Sequence, residues 1–323
     1  MKNVNYKKYI QPEYDELSKE VYLETPYEFD AENIVYWRNN YNYKVQNLLT
    51  NYWVNRRVFK DVMDVKIKND IIEYDDYELP IRIYSPNKEG VFPVLVFYHG
   101  GGFMMNTLDI YDLVCRYLSK FGDIVVVAPD YRLAPEYKFP LGLNDCYKAL
   151  EWSYENMKNL NGNNKISICG DSAGGNFSAV VSMMARDLKG PKIEKEILIY
   201  PCVLLGTQEE KTEAEIKYGK GYELDYDGLD SIIPYYLDNL DDIYNPYVSP
   251  ILGNAANLPP TYFISAECDI LLDQGLMYAT KLDEANVKVE YNIYKGMPHG
   301  FINRPYQMTF NALDDICNIV NLD

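Results

Sequence analysis

Histidine is almost absent from this chain: 323 residues contain two, His99 and His299. Any chemistry that needs an imidazole has only these to draw on. Cysteine is sparse and scattered, at Cys115, Cys146, Cys169, Cys202, Cys268 and Cys317, with no Cys-x-x-Cys and no pair of cysteines near a histidine. That spacing argues against a zinc site. The thiols lie mostly in apolar runs and read as small buried hydrophobes in a reducing compartment. No stretch reaches about 18 uninterrupted apolar residues, so no transmembrane helix is expected. Residues 1–20 alternate charged and polar side chains and lack the apolar core of a signal peptide, which points to a cytoplasmic protein. Positive charge is in deficit, with 31 Lys and Arg against 48 Asp and Glu and a formal net charge of -17. Phosphate backbones are bound by Lys and Arg clusters, so nucleic acid is excluded as an expected partner. The acidity favours solubility.

Tyrosine is abundant, at 32 residues. The same chain is rich in Asn, Lys and Ile, so this is a compositional bias and no single Tyr is informative. The length suits one large α/β domain or two ordinary ones and allows a substantial core.

Short apolar runs that end in glycine or proline alternate with helical patterns. Residues 92–98, 124–127, 166–169, 196–200, 261–264 and 289–294 read as strands. Residues 107–120, 141–157, 174–188 and 273–285 carry apolar side chains at three-and-four spacing and read as helices. Buried runs alternating with helices imply a mostly parallel sheet covered on both faces. Segments 62–69 and 77–84 read as an antiparallel pair with a turn near Asn69-Asp70. Residues 1–58 are expected to form a helical cap segment and 59–323 the main domain. Residues 206–245 are expected as a helical insertion in that domain, with Ile232, Ile233, Tyr236, Leu237 and Leu240 along one face. Together they would cover the carboxyl edge of the sheet, where ligands of open α/β sheets bind.

Three motifs carry chemistry. Gly170-Asp171-Ser172-Ala173-Gly174 contains Gly-x-Ser-x-Gly, which about one chain in ten of this length would carry by chance. Here it lies between an expected strand and an expected helix, the context that exposes a serine nucleophile on a tight turn. A serine hydroxyl needs a base, and the base needs an orienting carboxylate. His299 follows one expected strand, and Asp269 follows another in Glu267-Cys268-Asp269. Glu267 and Asp273 are nearby competitors, but the order Ser172, Asp269, His299 is that of an α/β-hydrolase triad. His99-Gly100-Gly101-Gly102 follows a strand, and its glycines leave backbone N–H groups free to approach a developing oxyanion. Ala173, at the start of the expected helix, offers another N–H. His99 is expected to brace this loop.

These motifs, with Asp130-Tyr131-Arg132-Leu133-Ala134-Pro135-Glu136, Ser249-Pro250-Ile251-Leu252 and His299-Gly300-Phe301, resemble those of the hormone-sensitive-lipase family of α/β-hydrolases over roughly residues 75–305. The resemblance implies an α/β-hydrolase fold, with a mostly parallel eight-stranded sheet flanked by helices and a helical cap. It implies a triad of Ser172, His299 and Asp269 and an oxyanion hole from Gly101, Gly102 and Ala173. Ile270 and Leu272 depart from the family pattern, which usually has proline and often arginine there; the carboxylate is retained.

The expected activity is hydrolysis of small, short-acyl carboxylic esters, with no metal or cofactor. The alternatives are an amidase or peptidase on the same triad, or a non-catalytic binding protein of this fold. The usual mark of the latter is a lost histidine, and His299 is present. An unpaired edge strand would let two copies associate, so a homodimer is one expectation.

Overall fold

The structure is a computed structural model that describes residues 4–7, 38–39, 41–47, 49, 58–74, 77–206, 210–224, 226–304 and 306–322. Most of the expected N-terminal cap, residues 1–58, lies outside this set. The strands are β1 (Val4–Lys7), β2 (Val65–Tyr74), β3 (Tyr77–Pro86), β4 (Phe92–Tyr98), β5 (Val125–Pro129), β6 (Gly162–Asp171), β7 (Glu196–Ile199), β8 (Thr261–Cys268) and β9 (Val289–Pro298). They form one sheet in the order β1-β9-β8-β7-β6-β4-β5-β3-β2. The eight strands implied by the family resemblance are β2 to β9. β1 adds a ninth at the edge, parallel to β9, so the start of the chain contributes a strand.

Every residue of β4 and of β5 is buried. That explains why both read as unbroken apolar runs: a parallel strand covered on both faces has no polar side. Alternate residues feed two cores. Val94, Val96 and Tyr98 pack with Leu143, Cys146, Leu150, Phe177 and Leu282, from helices Leu141–Glu155, Ala173–Asp187 and Leu272–Glu284. Leu95 and Phe97 pack with Val114, Leu118, Leu313 and Ile316, from helices Asp112–Gly122 and Gln307–Asn321. Five of the six cysteines are buried, and Cys268 is partly so.

The β2–β3 hairpin differs from the sequence reading. Its pairing runs through to Tyr74 opposite Tyr77, and Asn69 and Asp70 sit mid-strand opposite Arg82 and Ile81. Asn-Asp favours a turn locally, but Arg82 Nε donates to Asn69 Oδ1 at 2.9 Å and holds the pair in the ladder.

The insertion after β7 is helical, but in short pieces: Glu213–Tyr218, Tyr226–Ser231, Ile233–Tyr236 and a 3-10 turn at Leu240–Tyr244. Its apolar stripe is shorter than expected. Ile232, Tyr236 and Leu237 are buried, whereas Leu240 is 56% exposed. The helix stops at Leu237, which turns extended, so Leu240 no longer shares its face. Among the described residues no helix is long and apolar enough to cross a membrane.

Candidate active site

The strand order reverses around β4, whose neighbours are β6 and β5. Loops leaving the carboxyl ends of β4 and β6 therefore part to either side and open a crevice there. β6 runs into Ser172, whose backbone has φ 54° and ψ -116°. A positive φ is strained for a residue with a side chain and needs support from its surroundings. Ser172 N donates to Ile199 O at 2.9 Å, and Cys202 N donates to Ser172 O at 3.2 Å. The flanking glycines are steric necessities. A Cβ on Gly170 would lie 2.2 Å from Gly174 O, and one on Gly174 would lie 2.0 Å from Tyr98 O.

Cys268 pairs with Pro298 beyond an irregularity in the β8–β9 ladder. Asp269 and His299 directly follow these two strand ends, so the register brings them side by side. His299 Nδ1–H donates to Asp269 Oδ2 at 2.7 Å, and Ser172 Oγ–H donates to His299 Nε2 at 2.8 Å. The other carboxylate oxygen of Asp269 accepts Leu271 N at 2.9 Å. Asp269 is fully buried. Burial depresses the basicity of His299, but Asp269, Asp171 and Glu223 raise it, and the net shift is upward from the ordinary imidazole value.

The competing carboxylates are engaged elsewhere. Glu267 forms an ion pair with Lys295 and accepts Gly296 N at 2.8 Å. Asp273 accepts Ala214 N at 2.8 Å, capping the first helix of the insertion.

Across the crevice, Tyr98 pairs with Gly170, which sets the loop after β4 beside the turn at Ser172. Gly101 and Gly102 have φ of 127° and 56°. Met104 N and Met105 N both donate to Gly101 O, at 3.0 and 2.8 Å, folding the loop back on itself. Among the described residues the N–H groups of Gly101, Gly102 and Ala173 donate to no acceptor. His99 is buried between Tyr131 and Tyr111, with ring centroids 4.3 and 5.6 Å away. Its Nδ1–H donates to Gly100 O at 2.8 Å. Burial pushes His99 down to about 4, so it is neutral near pH 7. It braces the loop and makes no hydrogen bond to Ser172.

The insertion reaches this loop. A Cβ on Gly102 would lie 3.6 Å from Ile232 Cδ1. Tyr236 stacks on Phe103 with centroids 4.0 Å apart and planes 10° apart. Met104 is fully buried, carried into the core by the turn at Gly101, and Met105 is half-buried.

A family model described as alpha/beta hydrolase fold matches residues 95–303. The chain belongs to the α/β-hydrolase family, in its hormone-sensitive-lipase branch. Relatives include an arylesterase of Saccharolobus solfataricus, 37% identical over 76% of this chain and 78% of its own. An ethyl acetate hydrolase of Pseudomonas putida is 31% identical over 71% of this chain and 73% of its own. A solved Pyrobaculum calidifontis esterase superposes with a TM-score of 0.85 at 30% identity, covering 97% of this chain and 98% of that one.

Within this α/β-hydrolase frame the structure joins Ser172, His299 and Asp269 by hydrogen bonds and sets the loop of Gly101 and Gly102 beside the turn at Ser172 and Ala173. It also adds two that the sequence reading missed. Asp171 lies under Ser172 and accepts Gly100 N at 2.7 Å and Tyr111 O–H at 2.8 Å. Burial pushes its carboxyl up to about 6, against the pull of those donors. Tyr200, with its ring 4.7 Å from His299, donates its hydroxyl to Asp171 at 3.4 Å. Asp171 was visible inside the Gly-x-Ser-x-Gly motif; Tyr200 carried no signal among so many tyrosines.

Proposed function

We propose that this protein is a serine carboxylesterase acting on small, short-acyl esters. The observation that carries the reading is the unbroken hydrogen-bond chain from Asp269 through His299 to Ser172. In this reading Ser172 Oγ attacks the ester carbonyl as His299 Nε2 takes its proton. Asp269 holds Nδ1–H, fixing the tautomer and stabilising the imidazolium that forms. The carbonyl oxygen becomes an oxyanion and accepts N–H groups of Gly101, Gly102 and Ala173. His299 returns its proton to the departing alcohol, leaving an acyl group on Ser172. Water, deprotonated by the same histidine, then releases the acid.

The 206–245 insertion, with the segment 1–58, serves as the cap. Ile232 stands against Gly102 of the oxyanion loop and Tyr236 stacks on Phe103, bulk beside the site that favours a short acyl group. The names of the relatives, an arylesterase and an ethyl acetate hydrolase among them, support small esters as substrates. Amide hydrolysis uses the same groups, so matched ester and anilide substrates are compared.

The test is p-nitrophenyl acetate hydrolysis by wild type and Ser172→Ala, with fluorophosphonate labelling of both. Turnover and labelling in the wild type alone are expected. An unlabelled, inactive wild type would overturn the reading and favour a binding protein. Faster cleavage of the anilide than of the matched ester would replace it with an amidase.

A further inference from the structure

The insertion between β7 and β8 is joined to the loop that carries His299 by a buried ion pair outside the triad. Arg304 Nη2 donates to Glu223 Oε2, and the side chains are only 9% and 12% exposed. Glu223 belongs to the insertion. Arg304 lies five residues after His299 and ends the 3-10 turn Phe301–Asn303. Tyr41, on the helical run 41–47, lies within electrostatic reach of both charges. Two segments thus meet at this pair, with Tyr41 of a third, and His299, within its electrostatic reach.

The loop has reason to need a fastening. Gly296 and Gly300 bracket His299, both have φ of 74°, and neither position has any neighbour within 4 Å of a Cβ built there. Left-handed glycines in open space are permissive pivots. On one side the loop is held by Glu267, which accepts Gly296 N at 2.8 Å. On the other, Phe301 and Ile302 are buried, and Ile302 N donates to the Tyr200 hydroxyl at 3.3 Å. The Arg304–Glu223 pair is what ties that second side to the insertion.

We infer that Glu223 is a positioning residue for the reaction, clamping the insertion to the His299 loop through Arg304. The inference rests on the ester-hydrolase reading above. Removing one partner of a buried ion pair leaves the other charge uncompensated, so the loop and the insertion would shift relative to each other. A displacement near 1 Å at the histidine suffices to slow the chemistry. Glu223 also acts on His299 by charge. The groups facing His299 are Asp269 after β8, Asp171 at the end of β6, Tyr200 after β7 and Glu223 from the insertion, the last paired with Arg304. Loss of the Glu223 charge removes one stabiliser of the imidazolium, which then gives up its proton at lower pH.

The experiment measures kcat, KM and the pH profile of kcat/KM on p-nitrophenyl acetate for the full chain and for Glu223→Gln. The expected result is a fall in kcat/KM of about ten- to a hundredfold, with the acid limb moved to lower pH. A purely structural loss would lower the amount of active protein and leave the limb in place. If Glu223→Gln does not fold, the double variant Glu223→Leu, Arg304→Leu replaces the pair by apolar groups, a change buried pairs often tolerate. It should fold and still show the reduced kcat/KM. Wild-type kinetics in either folded variant, or an unmoved acid limb in Glu223→Gln, overturns the inference and leaves the esterase reading standing. An inactive wild type overturns both.

Discussion

Asp171 accepts the backbone N–H of Gly100 at 2.7 Å, so the turn bearing Ser172 is bonded directly to the loop bearing Gly101 and Gly102. Nucleophile and oxyanion donors are thereby held in one frame. There is no room for adjustment, because a Cβ on Gly100 would lie 2.5 Å from Asp171 Oδ2. Asp171→Asn keeps the shape but puts an amide among three donors. We expect kcat to fall roughly ten- to a hundredfold, less than the ~10²–10³ that outright loss of an oxyanion donor costs. KM should change little, because the donors act on the transition state. Steady-state kinetics on p-nitrophenyl acetate check this, and an unchanged kcat would show that the two loops are placed independently.

The two histidines should separate cleanly. Ser172→Ala and His299→Ala are each expected to cut ester turnover by on the order of 10⁴ or more, with the double variant little worse, since such groups act as a unit. His99→Ala is expected to be milder. It removes the stack between Tyr131 and Tyr111 and the bond to Gly100 O, and leaves the hydrogen bonds of Ser172 and His299 in place. Circular dichroism distinguishes loss of fold from loss of function. A larger loss in His99→Ala than in His299→Ala would reverse the assignment.

Activity should rise with pH through a midpoint above the ordinary imidazole value of 6.5, because His299 must be neutral to accept the serine proton and its net shift is upward. Asp269→Asn removes the principal negative neighbour, so its residual activity should titrate at a lower pH than the wild type. Of Glu267→Gln, Asp269→Asn and Asp273→Asn, the second is expected to harm kcat most. Glu267 supports the loop at Gly296, and Asp273 caps the helix at Ala214, so both act at a distance. A pH–kcat/KM series on the three variants decides the matter, and equal losses would leave the orienting acid unassigned.

Acyl length should be set by Ile232, which stands against Gly102 and is pinned by the Tyr236–Phe103 stack beside it. The leaving alcohol must lie on the His299 side, where it receives its proton. The acyl chain therefore extends away from His299, and Ile232 is the wall we place in its path. The wild type should favour acetyl to hexanoyl esters and act poorly on emulsified long-chain triglyceride. Ile232→Ala should move the optimum toward longer acyl groups, each buried methylene adding about 0.8 kcal/mol. A panel of p-nitrophenyl esters of increasing length reads this directly. An unchanged length profile in the variant would place the wall elsewhere.

Much of this protein was legible in its sequence because the informative features are local. Strands buried on both faces, such as β4 and β5, must be apolar throughout and so announce themselves as runs. The turn at Ser172 demands glycine at Gly170 and Gly174 because backbone oxygens sit where any Cβ would go. With only two histidines, and His99 opening the glycine loop, His299 was the one left to serve as base. What depends on distant partners was not legible. Chain order and resemblance singled out Asp269 from Glu267 and Asp273, but its contact with His299 is made by the register that pairs Cys268 with Pro298. Asn69-Asp70 has turn chemistry, yet cross-strand pairing with Arg82 and Ile81 keeps it in the ladder. Asp171 and Tyr200, and the Glu223–Arg304 clamp, join positions 29 and 81 residues apart. Burial and charge compensation at such sites are properties of the packed chain, and only the tertiary structure decides them.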